Sequence, residues 1–326
     1  MHECKVCSNR EGNSIHVLRE MLFGTREQFE YLECKSCNTI QIIKPPPNIG
    51  DFYPADYWAY QQLESAGLSQ KFSSRLLAKT AGKYFVERKG LLGPLAVRYR
   101  GWPNQIFPYF LREPFLNITM SSRILDFGCG VGDLLLKLSY FGFENVEGLD
   151  SFIEKDIEYE NGVRVTKGSI DNIDSEFDLI MLHHSFEHLP NPVTHLSQLR
   201  GKLKQGKFCI LRMPVLAEAW KRYGKDWSQL DAPRHFFLFT EEAFRAVAEK
   251  TGFEVEKVVY DSSALFQFYA SELYKQDIPL RSDDPREEEL RRKLLNSDQF
   301  EEWEREAERL NNRHKGDQAC YFLRAV

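Results

Sequence analysis

The sequence predicts a doubly wound α/β fold, in which helices cover both faces of a largely parallel sheet. Strand-like and helix-like segments alternate from residue 121 onward, which is the pattern of such sheets. The first of these strands carries Asp126 near its end and leads into a loop with glycines at 128, 130 and 132. An apolar, helix-prone run follows at 134–138, and the next strand ends at Asp150. Because ligands bind at the carboxyl ends of the strands in these folds, we expect this loop to hold a cofactor.

The predicted elements follow one another in a regular order. Strands are expected at 14–18, 28–33, 124–127, 146–149, 163–167, 177–182, 208–212, 253–260 and 320–326. Helices are expected at 69–89, 133–140, 192–203 and 240–248, with one or two amphipathic surface helices within 285–315. We divide the chain into an N-terminal module at 1–44, a helical linker or lid at 45–120 and an α/β domain at 121–326.

Composition narrows the class of protein. Of the 326 residues, 42% are hydrophobic and 28% are charged, as in ordinary globular proteins. No apolar run approaches the roughly 18 residues of a membrane span, and the N-terminus does not resemble a secretory signal, so we expect a cytoplasmic protein. A net charge of −5 disfavours nucleic acid as a partner. Three isolated cysteines are expected to be buried thiols: Cys129, Cys209 and Cys320.

The N-terminal module carries two C-x2-C pairs, formed by Cys4, Cys7, Cys34 and Cys37. Two such turns can close a tetrahedral zinc site, and four thiolates leave no open position for catalysis. A module this short buries too little apolar surface to fold alone, so zinc would stabilise it. We therefore predict a structural, zinc-ribbon-like module. The alternatives are a redox-active dithiol pair, or a histidine (His2 or His16) in place of one ligand.

Residues 48–120 are rich in aromatic side chains. The simpler interpretation is a helical layer that packs over the main domain. The functional interpretation is a lid that borders the substrate cleft, for which Tyr53 and Tyr57 are the first candidates.

The spacing of the glycines discriminates between two classes of cofactor. A dinucleotide site would have the pattern G-x-G-x-x-G, whereas here the third glycine comes one residue early. Asp126 directly before the loop would be unfavourable beside a pyrophosphate, but it suits a cationic ligand such as S-adenosylmethionine. Asp150 can accept hydrogen bonds from both ribose hydroxyls, a role that fits either cofactor.

These motifs resemble those of class I S-adenosylmethionine-dependent methyltransferases. Ile124-Leu-Asp126-Phe-Gly128-Cys129-Gly130 is similar to their first motif, Gly148-Leu-Asp150 to their acidic second-strand motif, and Glu187-His188-Leu-Pro to a segment of ubiquinone-pathway O-methyltransferases. The resemblance implies a Rossmann-like sheet with an antiparallel last strand. The expected cofactor-binding residues are Asp126, Gly128, Cys129, Gly130, Asp150, Ser151, Ser169, Ile170 and His183. Ser169 replaces the Asp that faces adenine in many relatives, so adenine recognition would fall to the Ile170 backbone or to Asp171.

Four residues could act on the methyl acceptor: His184, Glu187, His188 and His235. In the first interpretation, His188 or His235 is a general base and Glu187 orients an imidazole. His235 lies in His-Phe-x-x-Phe-Thr, which resembles the base-bearing loop of nucleotide-sugar C-methyltransferases. In the second, the four residues bind a divalent metal, as a similar pattern does in small-RNA 2′-O-methyltransferases. In the third, Glu187 and His188 are structural and catalysis is mainly proximity.

The N-terminal cysteine pairs are similar to those of bacterial methyltransferases that act on sugars or secondary metabolites. We therefore expect a small-molecule or sugar acceptor in carbohydrate biosynthesis. Trp220-Lys-Arg-Tyr-Gly-Lys-Asp-Trp227 combines aromatic rings with cations, which would suit a sugar phosphate, although an ordinary surface loop has the same composition. The alternatives are an O-methyltransferase for a phenolic or polyketide-like metabolite, and a binding protein without turnover. The sequence does not indicate an oligomeric state.

Overall fold

The structure is a computed structural model. It describes residues 2–54, 57, 60, 71–98, 106–174, 176–281, 284–295 and 297–326. The predicted helix start at Ser69 and the aromatic residues Trp58, Tyr99 and Trp102 lie outside these ranges.

An eight-stranded sheet forms the centre of the fold, in the order β11-β12-β9-β8-β4-β5-β7-β6. Its strands are β4 (Arg123–Phe127), β5 (Asn145–Asp150), β6 (Ile157–Glu158), β7 (Arg164–Lys167), β8 (Phe177–His183), β9 (Leu203–Pro214), β11 (Phe253–Tyr260) and β12 (Gln318–Ala325). Strands β7, β5, β4, β8 and β9 run parallel, and β12 runs antiparallel to both of its neighbours. This topology confirms the predicted Rossmann-like methyltransferase fold, including its antiparallel last strand.

The apolar strands are explained by burial on both faces of this sheet. Ile124 and Leu125 are both fully buried, yet they belong to separate hydrophobic clusters. Adjacent strand residues point to opposite faces, so each face packs against its own layer. A continuous apolar run is typical of a parallel strand in this position.

A four-stranded antiparallel sheet lies beside the central one, in the order β1-β2-β3-β10. Its strands are β1 (Ser14–Arg19), β2 (Gln28–Glu33), β3 (Ile40–Ile42) and β10 (Phe237–Leu238). The sequence predicts β1 and β2 but neither β3 nor β10. Because β10 follows β9 in the chain, the N-terminal strands share a sheet with a segment of the α/β domain. The domain boundaries at 44 and 120 stay predictions.

The helices complete the two outer layers. Among the described residues they are α1 (Phe72–Glu87), α2 (Gly93–Arg98), α3 (Asp133–Tyr140), α4 (Pro192–Gly201), α5 (Glu218–Tyr223), α6 (Glu241–Lys250), α7 (Ala270–Lys275), α8 (Pro285–Leu294) and α9 (Asp298–Asn312). A π-helical turn at Leu265–Tyr269 leads into α7. The buried face of α1, with Ala78 and Phe85, joins the cluster that contains Phe141 beyond α3. The assignment of 45–120 to a helical linker or lid stays a prediction. No helix among the described residues has the length and apolarity to cross a membrane.

Candidate active site

A cavity of about 600 Å³ opens at the carboxyl ends of β4, β5 and β8. Its wall divides into two parts. The first comes from the glycine loop and the end of β5, and includes Asp126, Gly128, Cys129, Asp150, Ser151 and Phe152. The second is rich in polar groups, and includes His184, His188, Arg212, Ser228, Gln229, Asp231, His235, Asp261, Ser263 and Gln318. Pockets of this volume hold ligands the size of drugs and cofactors.

Close packing between strand ends explains the first glycine of the loop. Gly128 has a φ of +74°, and a Cβ there would lie 2.4 Å from the Cβ of Ser185. Ser185 follows β8, and its hydroxyl donates a hydrogen bond of 2.8 Å to the Phe127 carbonyl. A side chain at Gly128 would therefore push apart the ends of β4 and β8, the two strands that position the cavity.

Two buried carboxyl groups face the glycine loop. The carboxylate of Asp150 accepts hydrogen bonds from the Gly130 N–H at 2.9 Å and from the Phe152 N–H at 2.8 Å. Each oxygen keeps capacity for one more donor, such as a ribose hydroxyl. Burial, together with the nearby charge of Asp150, raises the pKa of Asp126 to about 7. A cationic ligand would relieve this cost, so both carboxyl groups fit S-adenosylmethionine.

The predicted cofactor residues are not all at the cavity. Asp126, Gly128, Cys129, Asp150, Ser151 and His183 line it. Gly130 acts through its N–H to Asp150. Ser169 and Ile170 are not among the described lining residues; the N–H of Ser169 donates to the Asn172 side chain, and Ile170 is buried in the core.

The three isolated cysteines and His183 differ in exposure. Cys209 and Cys320 are buried as expected, but Cys129 is only partly buried because its thiol borders the cavity.

His183 has no hydrogen-bond partner for Nε2 among the described residues, and the centroid of its ring lies 4.5 Å from that of Phe110. Burial lowers the pKa of His183 to about 3, which keeps the ring neutral.

The four predicted acceptor-side residues do come together. Nδ1 of His184 lies 3.5 Å from Oε1 of Glu187, and Nε2 of His235 lies 3.9 Å from the same oxygen. The rings of His188 and His235 have centroids 4.8 Å apart. These residues do not share one helical turn, because only Phe186–His188 form a short 3-10 turn and His184 precedes it. The cluster is assembled by the approach of the loop after β9 instead.

Hydrogen bonds fix which nitrogen of each ring carries the proton. Nδ1 of His188 lies 2.8 Å from the Arg234 carbonyl, and Nδ1 of His235 lies 2.7 Å from the Gln229 carbonyl. A carbonyl only accepts, so both Nδ1 atoms donate, and the neutral form of each ring has its lone pair on Nε2. Burial also lowers the pKa of His235 to about 4, although Asp231 opposes this effect. His235 is therefore a neutral imidazole near pH 7.

Glu187 is completely buried between these rings. Neither carboxylate oxygen has a hydrogen-bond partner among the described residues. Burial by itself would raise the pKa of this carboxyl, but the contact with His184 and the neighbouring imidazoles lower it to about 2. The cluster thus contains an ionised carboxylate with imidazole nitrogens 3.5 and 3.9 Å from its Oε1.

A buried network of ion pairs lies beside His235. The sequence alone does not predict this network. The guanidinium of Arg234 is fully buried; its Nη2 donates to Oε1 of Glu20 at 2.9 Å, and its Nε donates to Oδ2 of Asp231 at 2.9 Å. Burial would raise the pKa of Asp231, but Arg234 lowers it overall. The hydroxyl of Tyr31 donates to the carbonyl of His235 at 3.0 Å. The i, i+3 spacing of Asp231 and Arg234 is the one local signal of this network.

Tyr53 and Tyr57, the candidates for a lid, both line the cavity. The hydroxyl of Tyr53 lies 3.1 Å from Nδ1 of His188, and its ring stacks on Phe152 with centroids 5.1 Å apart. Tyr53 therefore connects the two parts of the cavity wall.

The sugar-phosphate interpretation of residues 220–227 needs a correction. None of these residues is among the described lining of the cavity. Trp227 is fully buried, and its Nε1 donates to Asp317 at 2.8 Å. Trp220 packs edge-on against His16 at 5.4 Å between centroids, and Lys221 pairs with Glu218. The two tryptophans therefore have packing roles within the fold, and the cationic side chains of this segment lie at the protein surface.

The four N-terminal cysteines form one cluster. The Sγ atoms of Cys4 and Cys37 are 3.7 Å apart, and those of Cys7 and Cys34 are 3.5 Å apart. Tetrahedral zinc with Zn–S bonds near 2.3 Å requires sulfur separations of about 3.8 Å. The thiols are thus placed as a tetrahedral zinc ion requires. His16 instead bonds to Glu33 at 2.7 Å, away from the cluster.

Comparison with known proteins agrees with this architecture. A family model described as a methyltransferase domain matches residues 95–258, just over half of the 326 residues. The fold, the glycine loop and this match define an S-adenosylmethionine-dependent methyltransferase. The chain belongs to the methyltransferase-domain family. No curated protein matches the sequence.

Solved structures of methyltransferases resemble part of the chain. A cyclopropane synthase from Mycobacterium tuberculosis is 17% identical, with a TM-score of 0.39, over 63% of this chain and 78% of that one. A SAM-dependent methyltransferase from Archaeoglobus fulgidus is 20% identical, with a TM-score of 0.39, over 63% of this chain and 86% of that one.

Proposed function

We propose that the enzyme transfers the methyl group of S-adenosylmethionine to a hydroxyl oxygen or a carbon of a sugar-type acceptor, either a nucleotide sugar or a glycoconjugate. The observation that carries this proposal is the polar second part of the cavity wall, which offers hydrogen-bonding side chains from five separate segments. An acceptor with many hydroxyl groups needs such partners, because each buried hydroxyl left unpaired costs free energy.

The residues on the donor side would bind and orient the cofactor. Asp126 would balance its positive charge, and Asp150 would accept from its ribose hydroxyls. The bound cofactor supplies an activated methyl group. Transfer is an in-line displacement, so the main task of the protein is to align the acceptor atom with that group.

The acceptor must also lose a proton, and we assign this step to the histidine cluster. The simplest form uses the free Nε2 of His235 or His188 as a general base, since both rings have Nδ1 fixed by a carbonyl. The proton passes from the acceptor to the imidazole and then to solvent. Glu187, ionised beside both rings, would stabilise the imidazolium.

A second form replaces the base with a divalent metal ion, and one specific observation favours it. One oxygen of Glu187 and one nitrogen each of His188 and His235 all lie within 4.8 Å of one another. No described group donates a hydrogen bond to the carboxylate. Two imidazoles and a carboxylate are a common ligand set for zinc and other transition metals, with positions left for a substrate oxygen.

A labelled-methyl assay over nucleotide sugars, free sugars and phenols tests the acceptor class. We expect turnover with one of the sugar acceptors. Turnover with phenols alone would contradict the proposal and favour the O-methyltransferase of small aromatic metabolites.

The variant His235→Ala tests the cluster. We expect turnover to fall by about 100-fold or more, while calorimetry shows unchanged cofactor affinity; His195→Ala, on the outer helix α4, is the matched control. Near-normal turnover of His235→Ala would contradict the metal form and the choice of His235 as the base, and near-normal turnover of His188→Ala as well would contradict the general-base form. A chelator that leaves the N-terminal zinc in place separates them, because only the metal form loses activity.

We also propose that the N-terminal cysteines hold a structural zinc ion. Metal analysis of the purified protein should find zinc, and Cys37→Ser should lose it and melt at a lower temperature. A protein that keeps four titratable thiols and its full stability without zinc would contradict this assignment.

A further inference from the structure

The N-terminal sheet makes direct contact with the loop that carries His235. Strand β10 pairs with β3 through Phe237 opposite Gln41 and Leu238 opposite Ile40. The Ile42 N–H donates to the Phe236 carbonyl at 2.9 Å. The backbone after His235 is therefore held as an edge strand of the N-terminal sheet.

Two side chains of the N-terminal segment reach further, to His235 and the residue before it. Tyr31 on β2 donates to the carbonyl of His235, and Glu20 just after β1 accepts from the guanidinium of Arg234. Tyr31, Glu20 and Arg234 are fully buried. A buried charge pair keeps its geometry strictly, because moving either partner leaves the other charge without compensation.

The same contacts reach the second imidazole. The carbonyl of Arg234 accepts from Nδ1 of His188 and so sets the orientation of that ring. Glu20 is itself held by the N–H groups of Phe23 and Thr25, each at 2.9 Å. A connected set of hydrogen bonds therefore joins the N-terminal segment, through Arg234, to His188 and His235.

The cysteine cluster is attached to the same strand. The side chain of Gln41 on β3 accepts from the Lys5 N–H at 2.9 Å and donates to the Glu3 carbonyl at 3.1 Å. These residues flank Cys4, so the cysteine turn and the His235 loop both contact one short strand.

We propose that Glu20 and Tyr31 are positioning residues for methyl transfer, which makes the N-terminal module a working part of the acceptor site. This inference rests on the proposed function in one respect, the action of His188 and His235 on the acceptor. The cofactor loop is held instead by its own sheet, through hydrogen bonds from the Gly130 N–H to Asp150 and from the Gly128 N–H to the Leu149 carbonyl.

Hydrogen exchange measured by mass spectrometry tests the positioning without any acceptor. In Glu20→Gln we expect amides of residues 231–240 to exchange at least about tenfold faster, with residues 123–133 unchanged. Glu33→Gln, at the end of β2 and paired with half-exposed His16, is the matched control and should exchange like the wild type. Unchanged exchange at 231–240 in Glu20→Gln would overturn the proposal.

Turnover with the acceptor found in the panel tests the catalytic consequence. Tyr31→Phe keeps the buried ring and removes one hydrogen bond, so we expect kcat to fall about five- to tenfold, with cofactor affinity within twofold. Tyr260→Phe removes a similar hydrogen bond, to Glu241 at 2.8 Å, and should leave kcat unchanged. An unchanged kcat in Tyr31→Phe, or an equal loss of cofactor affinity, would overturn the proposal. If no acceptor is found, the exchange experiment alone decides the positioning.

Discussion

The two halves of the cavity are built in different ways. The cofactor half comes from one continuous stretch, in which β4, the glycine loop, α3 and β5 bring Asp126 and Asp150 together within 25 residues. The acceptor half gathers His184, Arg212, His235 and Gln318 from segments that are far apart in the chain, and Glu20 supports it through Arg234. The arrangement of the cofactor half depends on local backbone geometry, because its residues are close in the chain. The arrangement of the acceptor half depends on how distant segments pack together in the fold. We therefore expect mutations in the supporting structure to damage methyl transfer before they damage cofactor binding.

The largest effect should follow from Arg234→Met. This change leaves the carboxylates of Glu20 and Asp231 buried without their counter-ion, so we expect a loss of roughly 3–5 kcal/mol in the free energy of unfolding. Urea denaturation measures it, and calorimetry should find cofactor affinity largely kept in the folded protein. Arg10→Met, which breaks the exposed pair with Glu3, is the control and should cost under about 1 kcal/mol. A cost no larger than that of Arg10→Met, or a marked loss of cofactor affinity in folded Arg234→Met, would contradict the contrast between the halves.

An intermediate effect is expected in the cofactor half, from Asp126→Asn. The pKa of Asp126 in the folded protein is about 7, above its value in the unfolded chain, so ionisation destabilises the folded state as pH rises from 4 to 7. Each pKa unit corresponds to about 1.4 kcal/mol. Without cofactor, Asp126→Asn should therefore be more stable than the wild type at pH 8, by up to a few kcal/mol, and not at pH 4.

The same variant should bind S-adenosylmethionine less well. The ionised carboxylate favours the cationic ligand, so we expect a loss of about tenfold or more in affinity at pH 8 and a smaller loss at pH 5.5. Thermal melts and calorimetry across this range measure both effects. A stability difference or an affinity loss that does not change with pH would show that Asp126 does not titrate as described.

The smallest effect is expected from Ser169→Ala. Its hydroxyl lies 3.4 Å from the Asn172 side chain, and the residue is not among the described lining of the cavity. We expect cofactor affinity to change by less than about twofold, as measured by calorimetry. A tenfold loss of cofactor affinity would show that the cofactor site reaches beyond β5. It would then support the predicted role of this segment in adenine recognition.

These contrasts also explain what the sequence could predict. The glycine loop, the two acidic strand ends and most strands of the central sheet follow from local spacing and burial, and the structure agrees with them. Strand β10 has only two residues, too few for a periodic pattern. Glu20 and Arg234 are charged residues that a sequence interpretation assigns to the surface, because their pairing joins positions far apart in the chain. The correction at 220–227 has the same origin, since the buried indole of Trp227 donates its hydrogen bond to Asp317, 90 residues further along the chain.

The pairing of β3 with β10 has a practical consequence for chimeric enzymes. Transplanting residues 1–44 onto another methyltransferase would bring a strand edge without its partner, and would separate Glu20 from Arg234. Removing them would leave β10 as an unprotected edge that can pair with other chains. Acceptor preference should therefore be inherited only when the N-terminal segment and the loop at 228–240 are exchanged together, as one unit assembled from two pieces of chain.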